Sequence, residues 1–202
     1  MTKPESGACS KGAAHGVVVL AAGASSRLGR NKLLLHHEGE SLVRRAARLA
    51  LATGPVDAVI VLGNEPDTVN AELRGLPIRR VDCADWREGM GASLHSGLTA
   101  LANECAGALV VVCDQPALDA AHLQTLCATW RAAPEDAVAS HYAGRFGVPA
   151  LLPRAWFAAL PAHGDHGARE LFASCRERIS AVANEALAVD IDRVEDLGAL
   201  RP

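Results

Sequence analysis

Val17 to Ala22 (VVVLAA) is an unbroken apolar run rich in β-branched residues, the pattern of a parallel strand buried on both faces. The same pattern recurs at Asp57 to Leu62 (DAVIVL) and Ala108 to Val112, and more briefly at Ile78 to Val81. Further strands are predicted at Asp136 to Ser140, at Arg145 to Leu152 after a turn, and at Ala186 to Asp192 (ALAVDID). Helical spacing falls between these runs. Ser41 is a candidate N-cap for a helix to about Ala52, with Leu42, Ala46, Leu49 and Ala50 on one face and Gly54-Pro55 as the stop. Helices are also predicted at Pro66 to Leu73, about Ala92 to Asn103, Ala120 to Arg131 and Trp156 to Leu160, with one reaching about Arg178 and a terminal one beginning at Arg193 to Leu197. Strand alternating with helix predicts an α/β fold, a three-layer αβα sandwich around a mainly parallel mixed sheet.

Composition narrows the picture in a few places. A chain of 202 residues, half of them hydrophobic, is long enough for one well-buried domain and too short for two. That domain is expected over residues 15–202, behind a polar, Gly/Ala-rich tail at 1–14 that lacks the apolar core of a secretion signal. The net charge of −3 offers no basic field for nucleic acid. No run of about 18 apolar residues predicts a membrane span. The six cysteines form no C-x-x-C pair, and their scatter fits a reducing cytoplasm.

The chemistry starts where the first strand stops. Gly23 to Lys32 is small, polar or basic, with Arg27, Arg30 and Lys32 in close succession. Gly23 and Gly29 permit a sharp turn and a close approach to a ligand. Ser25 and its neighbours supply hydroxyls and backbone N–H donors. A buried strand that opens into a donor-rich cationic loop suits a polyphosphate. It is not a Walker A loop, because Lys32 lies between Asn31 and Leu33, and the Gly23 to Gly29 spacing is wrong for a dinucleotide fingerprint. Asp114 follows the most apolar strand, where a carboxylate either caps the turn before Pro116 or holds a cation such as Mg²⁺ carried by a nucleoside triphosphate. His163, Asp165 and His166 lack a third neutral ligand nearby, which argues against a metal cluster.

Leu20, Ala21, Ala22, Gly23, Ser25, Arg27, Gly29 and Lys32 match in order the signature of nucleotidyltransferases that activate sugars and cofactors. Glu88 to Leu98 (EGMGASLHSGL) resembles a segment of the molybdenum cofactor cytidylyltransferases, within the MobA-like NTP transferases. Cys113-Asp114-Gln115-Pro116 resembles their metal-binding step. The resemblance covers nearly all of the chain after residue 15 and implies a Rossmann-like nucleotidyltransferase fold of GT-A type. It implies that Leu20 to Ser25, Ala24 included, contact the nucleotide, with Gly23, Ala24 and Ser25 as backbone donors. Gly91, Ala92 and Ser93 would face the base; on the residues alone, that stretch reads equally as a tight helix–sheet contact. Arg27 and Lys32 would meet the triphosphate. Asp114 would hold Mg²⁺ together with Asp190, or with Asp192. Gly147, Pro149, Asp165 and Arg169 would face the acceptor.

The implied reaction is transfer of a nucleoside monophosphate, best matched by CTP, to the molybdenum–molybdopterin cofactor with release of pyrophosphate. The product would pass to a molybdoenzyme or its chaperone. Guanylyl transfer to the same acceptor, a sugar-phosphate nucleotidyltransferase and a non-catalytic nucleotide- or cofactor-binding chaperone remain as alternatives. An NAD-dependent oxidoreductase is disfavoured by the glycine spacing.

Overall fold

The structure is a computed structural model that describes residues 13–25, 28–160, 164, 172–173 and 175–201. Its strands are β1 (His15–Ala21), β2 (His36–His37), β3 (Glu40–Ser41), β4 (Asp57–Leu62), β5 (Arg79–Asp82), β6 (Gly107–Val112), β7 (Ala137–Tyr142), β8 (Arg145–Pro153) and β9 (Ile179–Ala183). The α-helices are α1 (Leu42–Leu51), α2 (Pro66–Glu72), α3 (Met90–Ala100) and α4 (Ala120–Ala132). Seven strands form one sheet in the order β5-β4-β1-β6-β8-β7-β9, and β2 and β3 form a separate hairpin. β8 runs antiparallel to both of its neighbours, and every other pairing in the large sheet is parallel.

Alternation along the central strands divides the core into two layers. Val17 and Val19 of β1, with Ile60 and Leu109 beside them, pack under α1, α2 and α4 through Val43, Val69, Leu123 and Trp130. Val18 and Leu20, with Val61 and Val110, pack under α3 through Leu94 and Leu98. The fold is therefore the expected three-layer sandwich. α3 lies unusually close to the sheet, since a Cβ on Gly97 would overlap Val18 and Val61.

Register puts the chemistry at one edge. Leu20 of β1 pairs with Val112 of β6, and Ala21 pairs with Leu62 of β4. The loops after β1 and β6 thus leave the sheet side by side, at the carboxyl end where α/β sheets bind ligands.

Two expectations need correction. Ala186 to Asp192 is not a strand: Glu185–Ala188 is a 3₁₀ turn, and the extended residues after it join no sheet. Ile191 instead makes a single bond, donating its N–H to Asp114 O at 2.9 Å. The last strand is β9, which pairs parallel with β7. Its half-exposed sequence ISAVA carries little apolar signal, because it lies at the sheet edge. The sequence predicts only a turn at Glu38–Glu40, but a β2–β3 hairpin forms there, with Glu38 and Gly39 at positive φ. Among the described residues, no helix is long and apolar enough to cross a membrane.

At the far end of β1, His15 is buried, with Nε2 2.9 Å from Thr53 Oγ1 and Nδ1 3.5 Å from an Arg131 nitrogen. Burial first, and then the Arg131 charge, lower its pKa to about 4. The unfolded chain takes up this proton near pH 6.5, whereas the native chain refuses it until about 4. Stability is therefore full above about pH 6.5 and falls as the pH drops toward about 4, by at most about 1.4 kcal/mol per pH unit for the one proton. Buried His122, held by Ser140 Oγ at 2.8 Å, is shifted in the same direction by its burial. Urea unfolding at about pH 7 and about pH 5 checks this, and equal free energies would contradict it.

Candidate active site

A cavity of about 670 Å³ opens at the carboxyl edge of β1 and β6. Leu20, Ala21, Ala22, Gly23, Lys32, Ser93, Asp114 and Asp192, all expected from the sequence, line it. The loop between the lining residues Gly23 and Lys32 is pinned from within. Ser25 sits at φ +52°, its Oγ accepts the Lys32 N–H at 3.0 Å, and its carbonyl accepts the Leu28 N–H at 3.0 Å. Gly29 turns the chain at φ +69°. Asn31 then caps the 3₁₀ turn Lys32–Leu34, accepting the Leu33 N–H at 3.1 Å.

Gly23 has another reason to be glycine. Its φ is not positive, and a Cβ built there would meet no atom of the described residues beyond its chain neighbours within 4 Å. The fold alone would accept a side chain, but that side chain would start from the cavity wall, where a ligand must come close. A Gly23→Val variant is expected to keep the wild-type melting temperature and to lose nucleotide affinity by at least about tenfold, as read by equilibrium dialysis. Unchanged affinity would remove Gly23 from the site.

The centre of the cavity is an ion triad. Lys32 Nζ donates to Asp114 Oδ2 and to Asp192 Oδ1, each at 2.7 Å. The side chains of Lys32 and Asp114 are only 16% and 21% exposed, so the contacts are poorly screened. Burial works to lower the Lys32 pKa, but the two carboxylates outweigh it and hold the ammonium charged, above its ordinary value. Asp192, rather than Asp190, makes the bond to Lys32. Asp190 lies within the field of both other acids: burial first, then Asp192 and Asp114, raise its pKa. Cys113 lines the same wall, and its burial keeps the thiol protonated.

Two carboxylate oxygens that converge on one cation are also a hard-oxygen donor set. Among the described residues, no group of three or more His, Cys, Asp and Glu side chains could hold a metal. A divalent ion held by two carboxylates would need its remaining oxygen ligands from phosphate and water. Asp114 and Asp192 fit such an ion.

Other expected residues are placed differently. Gly91 and Ala92 are buried at the start of α3 and do not line the cavity; the Gly91 N–H is donated to Gly164 O at 2.9 Å. Ala24 and Ser25 lie just beyond the lining residues. Gly147 and Pro149 are on β8, outside the cavity, on either side of a cis Val148–Pro149 bond. They connect to the site through Gln115, whose Nε2 reaches the Val148 carbonyl at 3.2 Å. Arg27, Asp165 and Arg169 lie outside the described residues.

Sequence reasoning did not name Trp86, Arg87 or Met90 as site residues, although Met90 lies in the Glu88 to Leu98 run; all three line the cavity. The Arg87 guanidinium lies 4.4 Å from the Trp86 ring centroid. Trp86 seats against Gly63, where a Cβ would come within 2.5 Å of the indole. The available signal was Gly63 itself, a small residue at a strand end that leaves room for a ring.

A seven-stranded sheet with a phosphate-type loop and paired acids at its carboxyl edge defines an α/β nucleotide-handling enzyme. The family model described as the MobA-like NTP transferase domain matches residues 17–181, and the chain belongs to that family of nucleotidyltransferases. Nicotine blue oxidoreductase of Paenarthrobacter nicotinovorans is 33% identical over 89% of this chain and 93% of its own length. The purine catabolism protein PucB of Bacillus subtilis is 30% identical, over 88% and 90%. A probable molybdenum cofactor guanylyltransferase of Synechococcus elongatus is 33% identical over 59% of this chain and 60% of its own. Among solved structures, Rv0371c of Mycobacterium tuberculosis superposes with a TM-score of 0.80 at 26% identity, covering 93% of this chain and 97% of that one. The same protein has also been solved in complex with manganese.

Proposed function

We propose that the chain transfers a cytidylyl group from CTP to a molybdopterin-type acceptor and releases pyrophosphate. The observation that carries the reading is Lys32 held at 2.7 Å from both Asp114 and Asp192, at the mouth of the loop after β1. An ionised phosphate oxygen of the acceptor attacks the α-phosphorus, the bond to the β-phosphate oxygen breaks, and pyrophosphate leaves with that electron pair. The nucleophile needs no strong base, so the barrier is repulsion between anions, and catalysis is positioning plus charge neutralisation. Lys32 turns its ammonium to the phosphate oxygens; one unit charge at about 4 Å contributes on the order of 4 kcal/mol before desolvation, at an effective dielectric near 20. Gly23 admits the triphosphate to the backbone. Asp114 and Asp192 would hold the divalent ion, which supplies charge neutralisation between the phosphates.

The Glu88 to Leu98 run supports cytosine as the base, and a relative named for guanylyl transfer supports the molybdenum cofactor as acceptor. Pyrophosphate release, assayed with each of the four nucleoside triphosphates, Mg²⁺ and molybdenum cofactor, tests the proposal. Release with CTP alone supports it, release with GTP alone replaces the base, and tight binding without release turns the reading to a chaperone. A second reading is redox chemistry on a nicotinamide nucleotide, favoured by the relative named nicotine blue oxidoreductase. Quenching or enhancement of NADPH fluorescence on titration with the protein would support it; the absent G-x-G-x-x-G spacing argues against it.

A further inference from the structure

A second cavity, of about 430 Å³, is lined in part by residues that neighbour Asp114 and Asp192 along the chain. Its polar side is made by His37 and Glu38 of the β2–β3 hairpin, Arg45 of α1, and Arg201. Its other side is apolar, with Pro116, Ala117 and Val189 among the lining residues. Val189 is 49% exposed there.

The polar side is unfinished. Among the described lining residues Glu38 is the lone carboxylate, and it faces three basic groups, none of them within hydrogen-bond distance. Arg45 stands at 3.6 Å, Arg201 at 3.8 Å and His37 at 3.9 Å. The Arg45 side chain is only 11% exposed, and its Nε has no hydrogen-bond partner. A buried guanidinium ordinarily has a carboxylate or carbonyl at each face, because burial without one is costly. Burial, and then Arg45, lower the His37 pKa and keep its ring neutral at pH 7. Among the described lining residues, two guanidiniums therefore face one carboxylate, an excess of positive charge.

The backbone around it is set in advance. Glu38 N–H donates to Arg201 O at 3.0 Å, and Arg201 N–H donates to His37 Nδ1 at 3.0 Å. Hairpin and C-terminal segment are thereby held together through the Arg201 backbone. We propose that this cavity binds a small organic anion, with a phosphate or carboxylate head at Arg45 and Arg201 and an apolar body against Pro116, Ala117 and Val189. A volume of 430 Å³ admits a ligand of one ring and one anionic group. Position gives the site a reach into the first cavity. Asp114 and Pro116 belong to one loop, Val189 and Asp192 to one segment, and the Ile191–Asp114 bond ties the two together.

The test is titration calorimetry of the full chain with phenyl phosphate and with benzoate, phenol serving as the neutral control. It is run on wild type, Arg45→Met and Lys32→Met. Binding of at least one anion, retained in Lys32→Met and weakened at least about tenfold in Arg45→Met, is expected, as is no binding of phenol. The two anions tell a phosphoryl from a carboxylate ligand. Arg45→Met should stay close to the wild-type melting temperature, because it removes a buried guanidinium whose Nε has no hydrogen-bond partner and leaves Glu38 with Arg201. If that variant fails to fold, Arg201→Ala, whose side chain is 77% exposed, carries the same comparison. Equal binding by the arginine variant, loss in Lys32→Met instead, or no binding of either anion would overturn the proposal. None of these readouts depends on turnover, so the proposed transferase reaction stands or falls separately.

Discussion

Asp114→Ala is expected to lower nucleotidyl transfer by about 10²- to 10³-fold, through kcat rather than KM, while far-UV circular dichroism and the melting temperature stay close to wild type. The fold survives because, among the described residues, the side chain of Asp114 bonds Lys32 alone, and Lys32 retains Asp192 at 2.7 Å. The structural bond at this position, from Ile191 N–H to Asp114 O, belongs to the backbone and remains. What is lost is a carboxylate just past the end of a largely buried strand, where its position requires no rearrangement when phosphates arrive. A variant with a near-normal rate would sink the assignment of the metal-holding pair.

Lys32→Met should have two opposite effects, and the pair is more informative than either alone. Nucleoside triphosphate affinity should fall about 10- to 100-fold, since hydrogen bonds to charged groups contribute about 1.5–3 kcal/mol each. Affinity for Mn²⁺ without nucleotide, followed by the loss of its free-ion paramagnetic resonance signal, should rise by about tenfold. In the wild type the ammonium already occupies the point where the two carboxylates converge, and an incoming cation has to displace it. With methionine there, Asp114 and Asp192 face each other unneutralised, so the variant should also melt lower and be restored by Mn²⁺. Unchanged Mn²⁺ affinity would mean that the two acids do not form a cation site.

Much of this was legible in the chain. The strands at β1, β4 and β6 announce themselves because central parallel strands are apolar on both faces, and Asp57 to Leu62 was bounded correctly to the residue. The weak elements were those at edges. β9 is half exposed and carries no continuous apolar run, and Ala186 to Asp192 alternates like a strand yet has no neighbour to pair with. Gly91 and Ala92 looked like open backbone because small residues at a helix start fit two causes. Here the Gly91 N–H is donated to Gly164 instead. Trp86 was passed over because an aromatic in a charged stretch carries no periodic signal; it reaches the cavity only because Gly63, far away in sequence, leaves space for its ring.

By itself, the sequence determined the layer order, the loop after the first strand and the acid after the fourth parallel one. Each of these depends on local chemistry: apolar period, glycine placement, and a charge where a buried strand ends. Tertiary structure alone decided that Asp192 joins Lys32 while Asp190 does not, and that Arg45 and Arg201 meet across a second cavity. Those pairings join residues more than a hundred positions apart, and only the sheet's register and the locked hairpin set which side chains come within bonding distance.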